Sequence, residues 1–361
     1  MKPFKYFLFL FVIAVSIDSA EAKEFYISSS GDDSNDGSSP STPVKSISQL
    51  NLLIVELRPG DVVLFERGCI FNGQLLMNAA GDNVSPIKFS AYGTGKNPVI
   101  SGSIPVTNWS NYKEGIFKTR VTSEVKGFFF NEGRMTLARY PNSGYLRIGN
   151  PFAEPNKGFT DNYLKQPNGY WNGSNVKIRT ENWAYEYSSI IDFQDGRISY
   201  RDPTYYPAKS GWGYYLDNNM NHLDTAGEWY FDKTNKDENL YFYIPDGINS
   251  GDMNIQCTVY DYGFFSERES NNIIIKDLEF RNQFTSGIYF AGTISDLKIE
   301  NCTFKGQEQI GILIPGRSEN NIIDNCRFYN INGKAVYLPA TTNTTVSNNI
   351  FQSIGMMPGY G

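Results

Sequence analysis

Histidine is nearly missing from this sequence: His222 is the only one in 361 residues. Catalysis that activates a nucleophile through an imidazole must use that residue or do without. A Ser-His-Asp hydrolase is therefore not expected. Cysteine is scarce too. Four cysteines are too few for a chain of this size to depend on disulfides. An excess of basic charge is absent. Lys and Arg total 32 against 38 Asp and Glu, a formal charge of −6, so no nucleic-acid partner is expected. Charged residues of both signs make up only 19%. After the first segment, no apolar run is long enough to cross a bilayer.

That first segment has the layout of an export signal. Lys2 and Lys5 precede the short apolar run "FLFLFVIAVSI", and "AEA" at 20–22 supplies small residues for cleavage. Residues 1–22 are read as a signal peptide. The expected location is secreted, periplasmic or cell-surface, with no membrane span after cleavage.

What is abundant is a repeat in the last third. Three rows of 24 residues align: "SNNIIIKDLEFRNQFTSGIYFAGT", "ISDLKIENCTFKGQEQIGILIPGR" and "SENNIIDNCRFYNINGKAVYLPAT". A partial fourth row follows. Ile275, Ile299, Ile323 and Val346 share a column, as do Phe280, Phe304, Phe328 and Phe351. Asp277, Asn301, Asn325 and Asn348 form a third. Each row holds three short β-type runs, and the Asp/Asn column falls between the first two, where a tight turn is needed. Coils with three strands, stacked so that each strand pairs with its equivalent in the next coil, make a right-handed parallel β-helix. A leucine-rich repeat of the same period would need its own leucine signature and a helical leg, and neither appears.

Leu278, Cys302 and Cys326 share an inward column. Neighbouring coils put their Cα atoms about 4.8 Å apart with parallel Cβ vectors, which is poor disulfide geometry. The expectation is two stacked, reduced cysteines rather than a disulfide or half a zinc site.

Upstream, "SISQLNLLIVEL" (Ser46–Leu57) carries Ile47, Leu50, Ile54 and Leu57 on one helical stripe. It is expected to cap the open end of the solenoid. The predicted organisation is a cap and first coils over 23–122, an inserted β-rich domain over 123–250, and further coils over 251–361. The repeat stops partway through a coil, so truncation at the C-terminus is expected. The insert region holds Trp171, Trp183, Trp212 and Trp229 and shows no repeat.

The stretches "FYISSSGDDSNDGSSPSTPVKSI", "RPGDVVLFERGCIFNGQL", "PIKFSAYGTGKNPVISGS", "MTLARYPN" and "HLDTAGEWYFDKTNKDENLYFYIPDG" resemble secreted bacterial right-handed parallel β-helix proteins of the pectate-lyase-like superfamily. They are most similar to glycoside-hydrolase-like members with a β-sandwich-like insert. The resemblance implies an all-β fold and a polysaccharide or oligosaccharide partner. It leaves glycosidase, lyase and non-catalytic glycan-binding or structural roles open.

Glycoside hydrolysis needs two carboxylates. Glu300 and Asp324 lie one coil apart on an outward column, and Glu308 lies in the turn before the third strand. These three are the candidate catalytic residues. The resemblance places the cleft along the third strand and its flanking turns, which makes Tyr289, Tyr337, Arg317 and Lys334 candidate substrate contacts. "DDSNDG" (Asp32–Gly37) admits a calcium reading, but Pro43 occupies the place where an EF-hand has its final carboxylate. No cofactor is otherwise expected. A uronate lyase needs cations to neutralise its substrate, and the sequence shows no basic cluster. The expected protein is thus an exported, monomeric glycoside hydrolase, ahead of a polysaccharide lyase or a binding module.

Overall fold

The computed structural model describes residues 21–232, 239–245, 247 and 254–356. Apart from Glu21 and Ala22, the segment read as a signal lies outside them. The chain folds as a right-handed parallel β-helix with very little α-helix. Three parallel sheets form its faces. The first face has seven strands, from Glu24–Ile27 to Thr345–Ser347. The second has six, from Ile70–Asn72 to Ile350–Ile354. The third has five, from Leu75–Leu76 to Lys334–Tyr337. A strip of two-residue strands, Ser270–Asn271 through Thr341–Thr342, closes the remaining corner.

The register is the one the repeat demands. Ile275 pairs with Ile299 and Ile299 with Ile323, while Phe280, Phe304 and Phe328 pair in turn. The rings of Phe280, Phe304 and Phe328 stack inside the tube with centroids 5.3 and 4.8 Å apart, and the half-exposed Phe351 continues the stack at 4.9 Å. Stacking like on like fills each coil with the same volume, so the core keeps interior density at every rung. Corners are made by residues in the left-handed region, where Asn and Asp are tolerated. Asp277, Asn301, Asn325 and Asn348 have φ between 51° and 60°. Side-chain bonds knit this column, as where Asn301 Nδ2 donates to Asp277 Oδ1 at 2.6 Å, 24 residues away.

Cys302 and Cys326 are buried and unbridged, as are Cys69 and Cys257 in the sense of carrying no disulfide. The thiols of Cys302 and Cys326 donate to the carbonyls of Glu300 and Asp324, each at 3.3 Å. Burial pushes the Cys302 thiol well above its ordinary range.

The capping helix is shorter than its hydrophobic stripe, running Ile47–Leu53. Ser46 caps it by accepting from Gln49 N at 3.1 Å. The chain leaves helical geometry at β-branched Ile54 and Val55, yet Ile54 and Leu57 remain buried with Ile47 and Leu50 in the solenoid core. In the "DDSNDG" loop the carboxylates are taken up by local turns. Asp32 accepts from Ser34 N, Asp33 from Lys45 N and Ser46 N, and Asp36 from Ser38 N. Among the described residues, no group of three or more His, Cys, Asp or Glu could hold a metal ion.

Candidate active site

Strand Val99–Ser101 ends on the second face, and the chain leaves the coil at Gly102. It returns at Val259 and Tyr260, whose N–H groups both donate to the Gly102 carbonyl at 3.0 Å. Glycine is required at the departure point, because a Cβ there would lie 2.6 Å from the Gln283 backbone of the next coil. Between exit and return lie mostly antiparallel sheets with cores of their own. The insert therefore springs from the corner between the second and third faces. It borders a cavity of about 1050 Å³ against that same corner in the following coils.

The solenoid wall of the cavity is built by the coil itself. After strand Thr303–Lys305, Gly306 turns the chain at φ 76°. Gln307 then points inward, where its Nε2 donates to the Phe280 carbonyl at 2.9 Å and to Gln283 Oε1 at 2.8 Å. That anchor leaves Glu308 facing the insert. Its Oε1 accepts from Asn332 Nδ2 of the next coil at 2.9 Å, and its Oε2 is ion-paired with Arg134. Arg134 also donates to the Gly306 and Gln307 carbonyls at 2.7 and 3.1 Å. Its guanidinium lies 4.9 Å from the Phe129 ring centre.

The opposite wall is one face of an insert sheet. In strands Asn175–Glu181, Ala184–Gln194 and Gly213–Asp217, alternate residues face the protein core: Val176, Ile178, Ile190, Tyr214 and Leu216. The period of two sends Asn175, Lys177, Tyr187, Tyr215 and Asp217 to the cavity. Register places Tyr215, Lys177 and Tyr187 side by side, and Asp217 beside Asn175. Lys177 Nζ is 3.4 Å from Asp217 Oδ2, and Asn175 Nδ2 donates to Asp217 Oδ1 at 2.9 Å. Burial opposes the charge on Lys177, but Asp217, Tyr215 and Glu308 outweigh it and hold the ammonium well above its ordinary range. One cation thus feels carboxylates from both walls.

Of the residues singled out by sequence, Glu308 and Lys334 line the cavity. Lys334 sits with its ammonium 3.9 Å from the Tyr337 ring centre. Tyr289 stacks on Tyr262 on the third face, at 4.9 Å. Arg317 is exposed beyond the third strand. Glu300 and Asp324 are register partners on the first face, away from the cavity lining. Glu300 pairs with Lys298, and Asp324 accepts from Ser347 and Asn348. The structure does not bring these two together with Glu308.

Sequence reasoning missed Arg134, Lys177, Asp217, Tyr187 and Tyr215. The alternation in "NVKIRTE" shows one polar face, but not what that face meets. It also missed a gathering of cations. Arg134, Lys177, Lys305 and Lys334 come from four separate segments and line one cavity. Carboxylates line the same cavity and match these cations: Arg134, Lys177 and Lys305 are ion-paired with Glu308, Asp217 and Glu132.

Comparison with known proteins agrees with this architecture. The family model "Right handed beta helix region" matches residues 246–361. Over 91 residues the chain is 41% identical to a lacto-N-biosidase of Bifidobacterium longum subsp. longum, a match covering 24% of this chain and 6% of that enzyme. A solved structure titled glycoside hydrolase superposes with TM-score 0.73 at 15% identity, covering 93% of this chain and 74% of that one. A GH136 lacto-N-biosidase from Eubacterium ramulus gives TM-score 0.40 at 16% identity, covering 92% of this chain and 42% of that one. At 15% identity, what the structure titled glycoside hydrolase shares with this chain is the fold.

Proposed function

We propose that this chain is an exported, monomeric enzyme that binds a polysaccharide or oligosaccharide between insert and solenoid and cleaves it as a glycoside hydrolase. Glu308 and Asp217 are the facing carboxylates. One protonates the leaving oxygen, and the other attacks the anomeric carbon or activates water. The observation that carries the reading is that Asp217, 3.4 Å from Lys177 on the insert wall, and Glu308 on the solenoid wall line one cavity. Tyr187, open to solvent at the cavity, offers the flat apolar surface that a pyranose ring needs, and Asn332 and Asn175 orient the two acids. The names lacto-N-biosidase and glycoside hydrolase among the matched proteins lend the reading weight.

A polysaccharide lyase is the second reading. It would draw on Arg134, Lys177, Lys305 and Lys334, the first three exchanging their ion pairs with Glu308, Asp217 and Glu132 for a uronate carboxylate and the carbanion charge that develops beside it. Incubating the protein with a polysaccharide panel while following reducing ends and absorbance at 235 nm together separates the cases. Reducing ends alone, lost in Glu308→Gln, are the expected result. Both signals together mean lyase chemistry. Binding with neither means a non-catalytic glycan-binding protein, and Glu308 then has no catalytic role.

A further inference from the structure

The cavity does not mark the end of the insert's exposed sheet face. Going up the strands, Asp217 and Asn175 form one cross-strand row, and Tyr215, Lys177 and Tyr187 the next. The same parity then delivers Arg179 paired with Tyr185. Gly213 lacks a side chain, and Tyr145 fills that space, its Cβ 3.3 Å from where a Cβ on Gly213 would be. The Tyr145 ring is 6.3 Å from Tyr185 and 6.2 Å from Tyr215. Burial and the Tyr145 hydroxyl push the Tyr185 phenol up to about 12, so it stays a neutral donor. Tyr145 and Arg179 lie beyond the cavity lining, whereas Tyr185 and Tyr187 belong to it.

Tyr187 is 64% exposed and Tyr145 37%. Both rings lie over a sheet whose other face is a closed core, Tyr187 largely open and Tyr145 packed against Gly213. They form a continuous tyrosine surface that starts inside the cleft and leaves it. Residues two apart along a strand are about 7 Å apart, so the surface from Asp217 to Tyr145 runs about 14 Å.

We propose that Tyr145 and Tyr185, with Arg179 between the strands, form a distal sugar subsite that holds the part of a glycan extending beyond the catalytic cavity. The occupant is a pyranose ring stacked on the tyrosines, its hydroxyls or carboxylate facing Arg179. This inference rests on the cleft being a glycan site. It adds that the protein prefers chains long enough to reach from the cavity to Tyr145.

The test is calorimetric titration of the Glu308→Gln protein with cello-, xylo-, chito- and oligogalacturonide series, from disaccharides to octasaccharides. The expected result is affinity that rises with length. Tyr145→Ala should remove about tenfold of the octasaccharide affinity and leave the disaccharide affinity alone. Tyr145→Phe, which keeps the ring, should restore it. Unaltered melting temperatures would confirm that each variant is folded. Affinity independent of length, or octasaccharide affinity untouched by Tyr145→Ala, overturns the distal subsite while leaving the cleft reading intact. No binding at any length in any series overturns both.

Discussion

Arg134 and Glu308 stand 174 residues apart in the chain and form an ion pair between insert and solenoid. The same guanidinium also takes the Gly306 and Gln307 carbonyls, so it grips the corner that presents Glu308. One side chain therefore fixes both the corner and the carboxylate it presents. Arg134→Ala should lower stability by about 2 kcal/mol, from the loss of charge-assisted hydrogen bonds, and lower glycan cleavage as well. Arg134→Lys should not restore either, because an ammonium cannot reproduce the fork. Denaturant titration alongside a reducing-end assay checks both.

Glu308→Gln keeps the shape and removes the charge. Cleavage should fall at least about a hundredfold, the scale of a lost acid–base group. Oligosaccharide affinity should persist. Full activity in this variant would remove Glu308 from the chemistry.

Phe304 is wholly buried, with its ring between those of Phe280 and Phe328. Phe304→Ala opens a void that rigid neighbouring coils cannot close. The expected cost is about 3–5 kcal/mol, read as a shift in the denaturation midpoint.

The four cysteines carry no disulfide. Unfolding without reductant should therefore expose four titratable thiols. In the folded protein Cys257 and Cys302 should be silent at neutral pH, since burial pushes both thiols up. A missing pair of thiols after unfolding would show a bridge.

His222 is stacked on Trp171 at 4.7 Å, and Tyr140 covers it at 4.8 Å. Burial pushes its proton affinity below the ordinary value of 6.5, although Asp224 pulls the other way. The folded protein thus binds this proton less tightly than the unfolded chain does. Its contribution to stability is complete above pH 6.5 and is lost as pH falls through the lower folded value. Melting temperature should drop in mild acid, and His222→Phe, which keeps the stack, should flatten that part of the profile.

The solenoid was readable because each coil solves the same packing problem with the same residues. Ile299 and Ile323, or Phe304 and Phe328, announce their neighbours by identity. The corner residues do so as well, since few side chains accept a left-handed backbone. The cleft had no such signal. Glu308 was reachable through its place before the third strand. Its partner Arg134, and Lys177 and Asp217 across the cavity, come from an insert without repeats, and only folding brings their segments together. Glu300 and Asp324 show the converse. The repeat placed them side by side, and that nearness serves the surface of the first face. The helix stripe over-reached for a third reason: Ile54 and Leu57 keep their burial after the backbone has left helical geometry.

The Gly102 carbonyl receives the returning chain at Val259 and Tyr260. Seen from the coil, more than a hundred intervening residues span no distance at all. The solenoid's pitch is thus indifferent to the size and sequence of what is mounted there. A domain joined in this way can change in size or sequence while the stacked rungs keep their register. Only contacts such as Arg134 to Glu308 tie the two histories together. The insert's face toward the cavity can then change without re-solving the fold.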